Sequence, residues 1–150
     1  MNILIIAGEV SGDLYASYLV NAIKKDSPDH VIYAIGGDKL NAVADTFIFE
    51  TAYHHGISFS KQFLNFKLKK SLLNALQTTI ETYDIDQAIL IDFQHFNDLI
   101  SSYLQSVSIP IHTFITPNFW MWKSVRLAQK ICNYSEKIIC IFRPEYDFYK

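Results

Sequence analysis

The fold is decided by the stretch NILIIAGEVSGDLYASYLV, residues 2–20 of the chain. An unbroken apolar run, Ile3 to Ile6, leads into a turn that contains Gly8 and Gly12, and apolar residues at helical spacing follow. Continuous apolar runs are typical of strands buried on both faces of a parallel sheet. The stretch therefore predicts a strand, a tight turn and a helix, which together begin a βαβ unit.

The same alternation continues along the chain and predicts five strands: Asn2–Ala7, Val31–Ile35, Gln87–Asp92, Ile111–Thr116 and Lys137–Phe142. Apolar residues spaced three and four apart predict helices between them, with stripes at Leu14, Tyr18, Leu19 and Ile23 and, within Lys61–Thr82, at Leu64, Leu68, Leu72, Leu76 and Ile80. Strands that alternate with helices predict an α/β fold, a Rossmann-like doubly wound parallel sheet. The 150 residues suit a single domain.

Composition excludes several classes of protein. A net charge of −2 lacks the basic field of a nucleic-acid binder. Cys132 and Cys140 match no metal spacing and are too few for a disulfide framework, which is typical of the cytoplasm. The N-terminal apolar run is too short for a signal peptide, and no apolar stretch is long enough to span a membrane. We therefore expect a protein that is soluble or peripheral to a membrane.

Polar residues follow the strands at the edge where open α/β sheets bind ligands. The first turn carries Glu9 and Asp13 but no lysine. These carboxylates would repel a pyrophosphate at the helix start, whereas a polyhydroxyl ligand would find acceptors for its hydroxyl groups. The structural alternative makes Asp13 a cap of the first helix and Glu9 a solvated loop residue.

Asp92 ends a buried strand, and His95 follows three residues later. A histidine near its intrinsic pKa can remove a hydroxyl proton at neutral pH, and a carboxylate beside it can orient the ring. The alternative is a loop-fixing aspartate and a surface histidine. The other histidines lack metal-ligand spacing, so we expect no metal site.

The segment after the fourth predicted strand contains Trp120 and Trp122. These indoles could stack on a sugar or line an acyl groove, or they could simply fill the core. Lys123 and Arg126 could meet a phosphate on the ligand or remain solvated. Residues 56–70 mix phenylalanines with four lysines, which favours contact with an anionic membrane over an ordinary amphipathic helix.

Taken together, these segments resemble one known family, lipid-A-disaccharide synthase. The matching motifs are AGEVSGD at 7–13, IGG at 35–37, ID and FN at 91–92 and 96–97, IPIHTFITPNFWMWK at 109–123, and Glu145-x-x-Phe148-Tyr149. Their order and spacing hold over nearly the whole chain, so the resemblance is specific.

The resemblance implies the N-terminal, acceptor-binding domain of a GT-B glycosyltransferase that inverts the anomeric centre and uses no metal or other cofactor. Such an enzyme transfers a diacylglucosamine from UDP to the 6-hydroxyl of a diacylglucosamine 1-phosphate in lipid A biosynthesis, on the cytoplasmic side of the inner membrane. The family's UDP-binding half would lie outside this chain. A homo-oligomer is left open.

The chain also departs from the family pattern. His95 replaces the second aspartate of I-D-x-P-D-F-N, Gln94 replaces its proline, and Lys123 replaces an arginine. Histidine can accept a proton but cannot supply negative charge, and lysine clamps a phosphate less well than arginine does.

Two functional hypotheses follow. In the catalytic one, Asp92, His95 and Glu9 handle the acceptor hydroxyl, and the substrate is held by Gly8, Ser11, Gly12, Asn97, Asn118, Trp120, Trp122 and Arg126. In the other, a non-catalytic half-domain binds an acylated sugar or a partner protein. A flavodoxin-like or receiver-like module would need a phosphate loop or an acidic phospho-acceptor cluster, and the sequence has neither.

Overall fold

The structure, a computed structural model, describes residues 1–51, 62–92, 97–116, 121 and 123–150, and describes only the backbone of residues 62–66 and 97–98. Strands and helices alternate along the described chain. The strands are β1 (Asn2–Ala7), β2 (Val31–Gly36), β3 (Thr46–Glu50), β4 (Gln87–Ile91), β5 (Ile111–Phe114) and β6 (Lys137–Ile139). The helices are α1 (Val10–Asp26), α2 (Asp38–Asn41), α3 (Gln62–Thr82), α4 (Asn97–Ser106), α5 (Val125–Tyr134) and α6 (Arg143–Tyr149).

The strands form one sheet in the order β3-β2-β1-β4-β5-β6, and every neighbouring pair is parallel. From β1 the chain moves outward to β2 and β3, then returns to β4 beside β1 and moves outward the other way. The predicted α/β fold, a Rossmann-like doubly wound sheet, is confirmed. Ligands of such sheets bind where the strand order reverses, which here is between β1 and β4.

Hydrophobic layers cover both faces of the sheet, because successive strand residues point to opposite sides. Leu4 and Ile6 of β1 face a layer supplied by α3, α4 and α5, with Leu72 and Leu76 fully buried there. The opposite layer contains β1 residues Ile3, Ile5 and Ala7 with Ala16 and Val20 of α1 and Leu40 of α2. The continuous apolar runs of the strands follow from this double burial.

One strand was missed at the sequence level. β3 pairs with β2 at the sheet edge, and its residues TFIFE are only partly buried. The five-residue segment follows the short helix α2 closely, so it lacks the separation between strands that marked the others.

The predicted carboxyl ends of four strands were wrong, and β2 ends at Gly36, one residue later than predicted. β4 ends at Ile91, β5 at Phe114 and β6 at Ile139, each earlier than predicted. At two of these ends the backbone turns into the left-handed region, with φ of 41° at Asp92 and 59° at Ile115. Such a turn ends the strand pairing, which hydrophobicity alone does not reveal.

The predicted stripe of α1 also needs correction. Leu19 and Ile23 pack partly against the core, but Tyr18 is 60% exposed, and the buried face consists of Gly12, Asp13, Ala16, Ser17 and Val20. Small side chains on this face let the helix lie close to the sheet.

The α3 prediction is confirmed to within one residue, and Leu68, Leu72, Leu76 and Ile80 lie on its buried side. Leu64 falls among the side chains that are not described, as does most of the proposed membrane segment, 56–70. Among the described helices, none is both long and apolar enough to cross a membrane.

Candidate functional site

The candidate site lies where β1 and β4 end side by side. α1 begins immediately after β1, at Val10, and its Gly12 packs against the end of β4. A Cβ atom on Gly12 would lie 3.1 Å from the carbonyl oxygen of Ile91, a backbone atom that cannot rotate away. Gly12 thus allows the first turn of α1 to reach Asp92, so its role is to permit close packing.

Asp92 is the central group of this site. Its side chain is partly buried, and the Ser11 hydroxyl donates a hydrogen bond of 3.3 Å to its Oδ2. Burial raises the pKa of the Asp92 carboxyl, and the negative charges of Glu9 and Glu145 raise it further, while the Ser11 hydrogen bond opposes the shift. A carboxyl group with a raised pKa is a stronger base once it is ionised.

The structure therefore brings together three predicted residues, Glu9, Ser11 and Asp92. Glu9 is the N-cap residue of α1 but makes no side-chain cap, and its carboxylate acts on Asp92 through charge. Two carboxylates at the start of a helix disfavour a phosphate there, although the helix dipole by itself would attract one. The arrangement suits a ligand that presents hydroxyl groups.

Gly8 belongs to the same backbone junction. Its N–H donates to the carbonyl of Ile91 at 3.4 Å and links β1 to β4 at their ends. On the other side of β1, the buried hydroxyl of Thr51 donates to the carbonyls of Ala7 at 2.6 Å and Gly36 at 3.3 Å. Thr51 was not predicted, and it fixes the ends of β1 and β2 beside the site.

Asp13 has a structural role, but the helix it caps is not the predicted one. It lies inside the first turn of α1, 4% exposed, and its carboxylate reaches the start of α2. It accepts backbone N–H bonds from Gly37 at 2.7 Å, Lys39 at 3.0 Å and Leu40 at 3.1 Å. Asp13 therefore caps α2, and it takes no part in the group around Asp92.

A second buried acid was missed as a site residue. Glu145, in the first turn of α6, has no exposed surface. Its Oε1 accepts bonds from the N–H and the hydroxyl of Thr116 at 2.8 and 2.7 Å. Glu145 lies 29 residues from Thr116 in sequence, so only the folded sheet brings the two together. A possible signal was a carboxylate in the first turn of a helix that directly follows a strand.

With this geometry established, a comparison with known families identifies the chain. A family model described as lipid-A-disaccharide synthetase matches residues 3–150. The chain belongs to this family. The resemblance stated from the motifs is confirmed.

Curated relatives in this family match the same region. The lipid-A-disaccharide synthase of Myxococcus xanthus is 28% identical over 148 residues, covering 99% of this chain and 38% of the relative. That of Aromatoleum aromaticum is 30% identical, covering 99% of this chain and 38% of the relative. That of Francisella tularensis subsp. novicida is also 30% identical, covering 100% and 39%. The chain thus spans about two-fifths of the length of these relatives.

The structure places the other predicted site residues of this lipid-A-disaccharide synthetase family member less completely. Arg126 is exposed in the first turn of α5, and among the described residues no hydrogen bond or ion pair joins it to the Asp92 group. Asn97 begins α4, the helix that follows β4, but only its backbone is described. His95, Asn118, Trp120 and Trp122 lie outside the described residues, so their predicted roles stay predictions.

Metal-ligating side chains do not cluster in the described part of this family member. Across that part, no group of three or more His, Cys, Asp or Glu side chains has the proximity needed to hold a metal ion.

Proposed function

We propose that this chain is the acceptor-binding part of a lipid-A-disaccharide synthase. The observation that carries the proposal is the position of Asp92 at the strand-order reversal, beside Ser11 and Glu9, with its pKa raised by burial. The family match over residues 3–150 supports the choice of reaction.

In the proposed reaction, the 6-hydroxyl oxygen of a diacylglucosamine 1-phosphate attacks the anomeric carbon of a UDP-linked diacylglucosamine. A new C–O bond forms on the opposite side from UDP, the bond to UDP breaks, and UDP leaves with the electron pair. Asp92, with His95 beside it in sequence, takes the hydroxyl proton during the attack. Ser11 holds the Asp92 carboxylate, and Glu9 keeps the local charge negative, which raises the affinity of Asp92 for the proton.

An apolar groove near the same edge of the sheet supports an acylated ligand. It is built from segments that follow β5 and β6, and it is lined by Met121, Val125, Pro144 and Phe148 together with the charged residues Lys123 and Asp147. Met121 and Val125 are 60% and 61% exposed, so two apolar side chains of the groove are accessible to a ligand. We propose that an acyl chain of the acceptor lies here, with Lys123 near its phosphate.

The donor site belongs to the part of the relatives that this chain does not cover. The carboxylates Glu9 and Asp92 make the described site a poor place for a pyrophosphate. We therefore assign UDP to polypeptide that corresponds to the remaining three-fifths or so of the relatives. The proposal needs no metal or other cofactor and places the protein on the cytoplasmic surface of the inner membrane, as a monomer or a homo-oligomer.

A second candidate is a half-domain that binds an acylated sugar or a partner protein without transferring anything. The observation that favours it is His95, which stands where the family pattern has an aspartate. The two candidates share the same ligand site and differ in turnover.

Ligand binding by the 150-residue chain tests the acceptor assignment. Isothermal titration calorimetry would compare diacylglucosamine 1-phosphate in detergent micelles, glucosamine 1-phosphate without acyl chains, and UDP. We expect binding of the acylated sugar, at least about tenfold weaker binding of the deacylated one because apolar burial is lost, and no binding of UDP.

Two matched variants locate the acyl site. Val125→Glu places a charge in the groove and is expected to weaken binding of the acylated sugar. Val107→Glu changes an exposed valine just after α4, away from the groove, and is expected to leave binding unchanged. Binding of UDP by this chain, or equal binding of both sugars, would overturn the assignment.

A further inference from the structure

Glu145 makes more contacts than a helix cap requires. Its Oε2 accepts bonds from the backbone N–H groups of Ile141 at 3.0 Å and Phe142 at 3.4 Å, which satisfies the start of its own helix. Its Oε1 faces away from that helix and accepts both bonds from Thr116. A carboxylate with no exposed surface is stable only if its oxygens are well satisfied, and these four bonds satisfy both.

Thr116 follows a strained residue that contacts the site. Ile115 is β-branched, yet its φ is 59°, a conformation that such side chains rarely adopt. Its N–H donates to Ile139 at 3.0 Å, and its carbonyl accepts the N–H of Asp92 at 3.1 Å. The turn after β5 therefore holds the backbone of Asp92, and surrounding contacts must stabilise this turn against its strain.

We propose that Glu145 is a positioning residue for Asp92, because it fixes the Ile115–Thr116 turn whose carbonyl receives the Asp92 N–H. The path runs from α6 through the ends of β5 and β4 to the site. Glu145 touches no reacting group itself. The catalytic meaning of this path rests on the proposed function, whereas the path itself can be tested without turnover.

Glu145 also acts on Asp92 through charge. The groups that affect the Asp92 carboxyl are Ser11 and Glu9 from the start of α1 and Glu145 from α6. The Glu9 and Glu145 carboxylates both raise the pKa of Asp92, so removing either charge lowers it. A lowered pKa of Asp92 is therefore a second readout, because loss of packing near Thr116 would not by itself lower it.

Amide hydrogen exchange by NMR tests the positioning in the 150-residue chain. Glu145→Gln replaces one oxygen by an NH₂ group, which cannot accept from two of the four donors. We expect exchange at the Asp92 amide to rise at least about tenfold, the change produced by a loss of ~1.4 kcal/mol of local protection, while Leu90 and Ile5 keep their rates. We also expect the pKa of the Asp92 carboxyl, followed by its ¹³C shift, to fall.

Further variants separate the causes and cover a failure of Glu145→Gln to fold. Thr116→Val removes one donor but keeps the charge, so it should speed Asp92 exchange with little change in the Asp92 pKa. Thr116→Ser restores the hydroxyl and should restore protection. Asp147→Asn makes the same charge change at an exposed position on α6 and should leave both readouts unchanged.

Two results would overturn the inference. In one, Glu145→Gln or Thr116→Val speeds amide exchange at Thr116 but leaves the Asp92 amide protected. That result would show that the contact between Glu145 and Thr116 does not position Asp92. In the other, all core amides exchange faster together, which would make Glu145 a general stabiliser. A chain that fails to bind the acylated sugar leaves either exchange result intact, so failure of the proposed function is distinguishable from failure of this inference.

Discussion

Asp92 combines two unfavourable features, a left-handed backbone and a partly buried carboxylate near two other carboxylates. Neither feature helps the protein to fold. Burial raises the pKa of Asp92, so the folded protein binds this proton more tightly than the unfolded chain does. Stability is therefore lost as pH rises from the ordinary aspartate value of 3.8 through the raised value, and the full cost is present at neutral pH. Such a cost is typical of functional groups.

Asp92→Asn should therefore stabilise the protein. Asparagine tolerates a positive φ, and it removes the buried charge. We expect the melting temperature at pH 7 to rise by on the order of 2 °C, with the gain disappearing as pH falls below about 3.8 because wild-type Asp92 is then protonated. Differential scanning calorimetry across this pH range checks it, with the exposed Asp29→Asn as the control. A lower melting temperature at pH 7 would contradict the burial account.

Gly12→Ala tests the close approach of α1 to β4. Within a helix, replacement of glycine by alanine normally stabilises by up to about 1 kcal/mol. Here the new Cβ would lie 3.1 Å from the carbonyl oxygen of Ile91, so we expect a loss of about 1–2 kcal/mol instead. Urea unfolding gives the sign of the change in the free energy of unfolding. A gain in stability would show that α1 has room to move away from β4.

At the scale of elements, α2 depends on a carboxylate from another helix. This four-residue helix has Gly37 before it, which offers no side-chain cap, and Asp13 of α1 supplies the acceptor. Gly36 is needed for the approach, because a Cβ atom there would lie 3.2 Å from Asp13 Oδ1 and 2.8 Å from Leu40 Cδ2. The turn after β2 and the start of α1 therefore form one unit beside the site.

Asp13→Ala should destabilise the protein by about 2–3 kcal/mol, because three backbone N–H groups lose a charged acceptor. Urea unfolding measures the loss. Asp26→Ala, at the exposed end of the same helix, should change stability by less than about 0.5 kcal/mol. Equal losses of stability in the two variants would show that Asp13 does not cap α2.

The exposed lysines of α3 are the described residues that support the hypothesis of contact with an anionic membrane. Lys67, Lys69 and Lys70 are exposed in the part of the helix that is described. Changing all three to glutamine should weaken binding to vesicles containing anionic phospholipid by at least about tenfold, since each basic residue contributes ~1 kcal/mol near such a surface. Sedimentation with vesicles measures this, with neutral phosphatidylcholine vesicles and a Lys24→Gln variant as controls. Unchanged binding would remove the membrane role of α3.

Local patterns were sufficient to predict most elements, and contacts distant in sequence explain what they missed. The runs that became β1, β2 and β4 are buried on both faces, so their hydrophobicity was informative. The strand ends could not be predicted from hydrophobicity, because the turns at Asp92 and Ile115 are set by hydrogen bonds between neighbouring strands. For the same reason, the group formed by Glu9, Ser11 and Asp92 could be predicted from strand ends, but the bonds of Glu145 to Thr116 could not.

At the scale of the whole molecule, the parallel sheet collects on one edge the groups that follow β1, β4 and β5. The N–H of Ile115 donates to the carbonyl of Ile139, and the N–H of Asp92 donates to the carbonyl of Ile115, so these bonds join neighbouring strand ends across this edge. The chain spans about two-fifths of the length of its relatives, and we propose that it supplies one wall of the reaction site. We propose that Asp92 takes part in catalysis on this wall.

The most direct test joins the chain to the remaining part of the Francisella relative and measures formation of the disaccharide and UDP by mass spectrometry. We predict turnover by the joined protein and a fall in kcat of at least about 100-fold in Asp92→Asn, with the KM for the acceptor changed less than about threefold. Asp29→Asn should match the parent protein. Wild-type kcat in Asp92→Asn would contradict the account, and acceptor binding without any turnover by the joined protein would favour the non-catalytic half-domain.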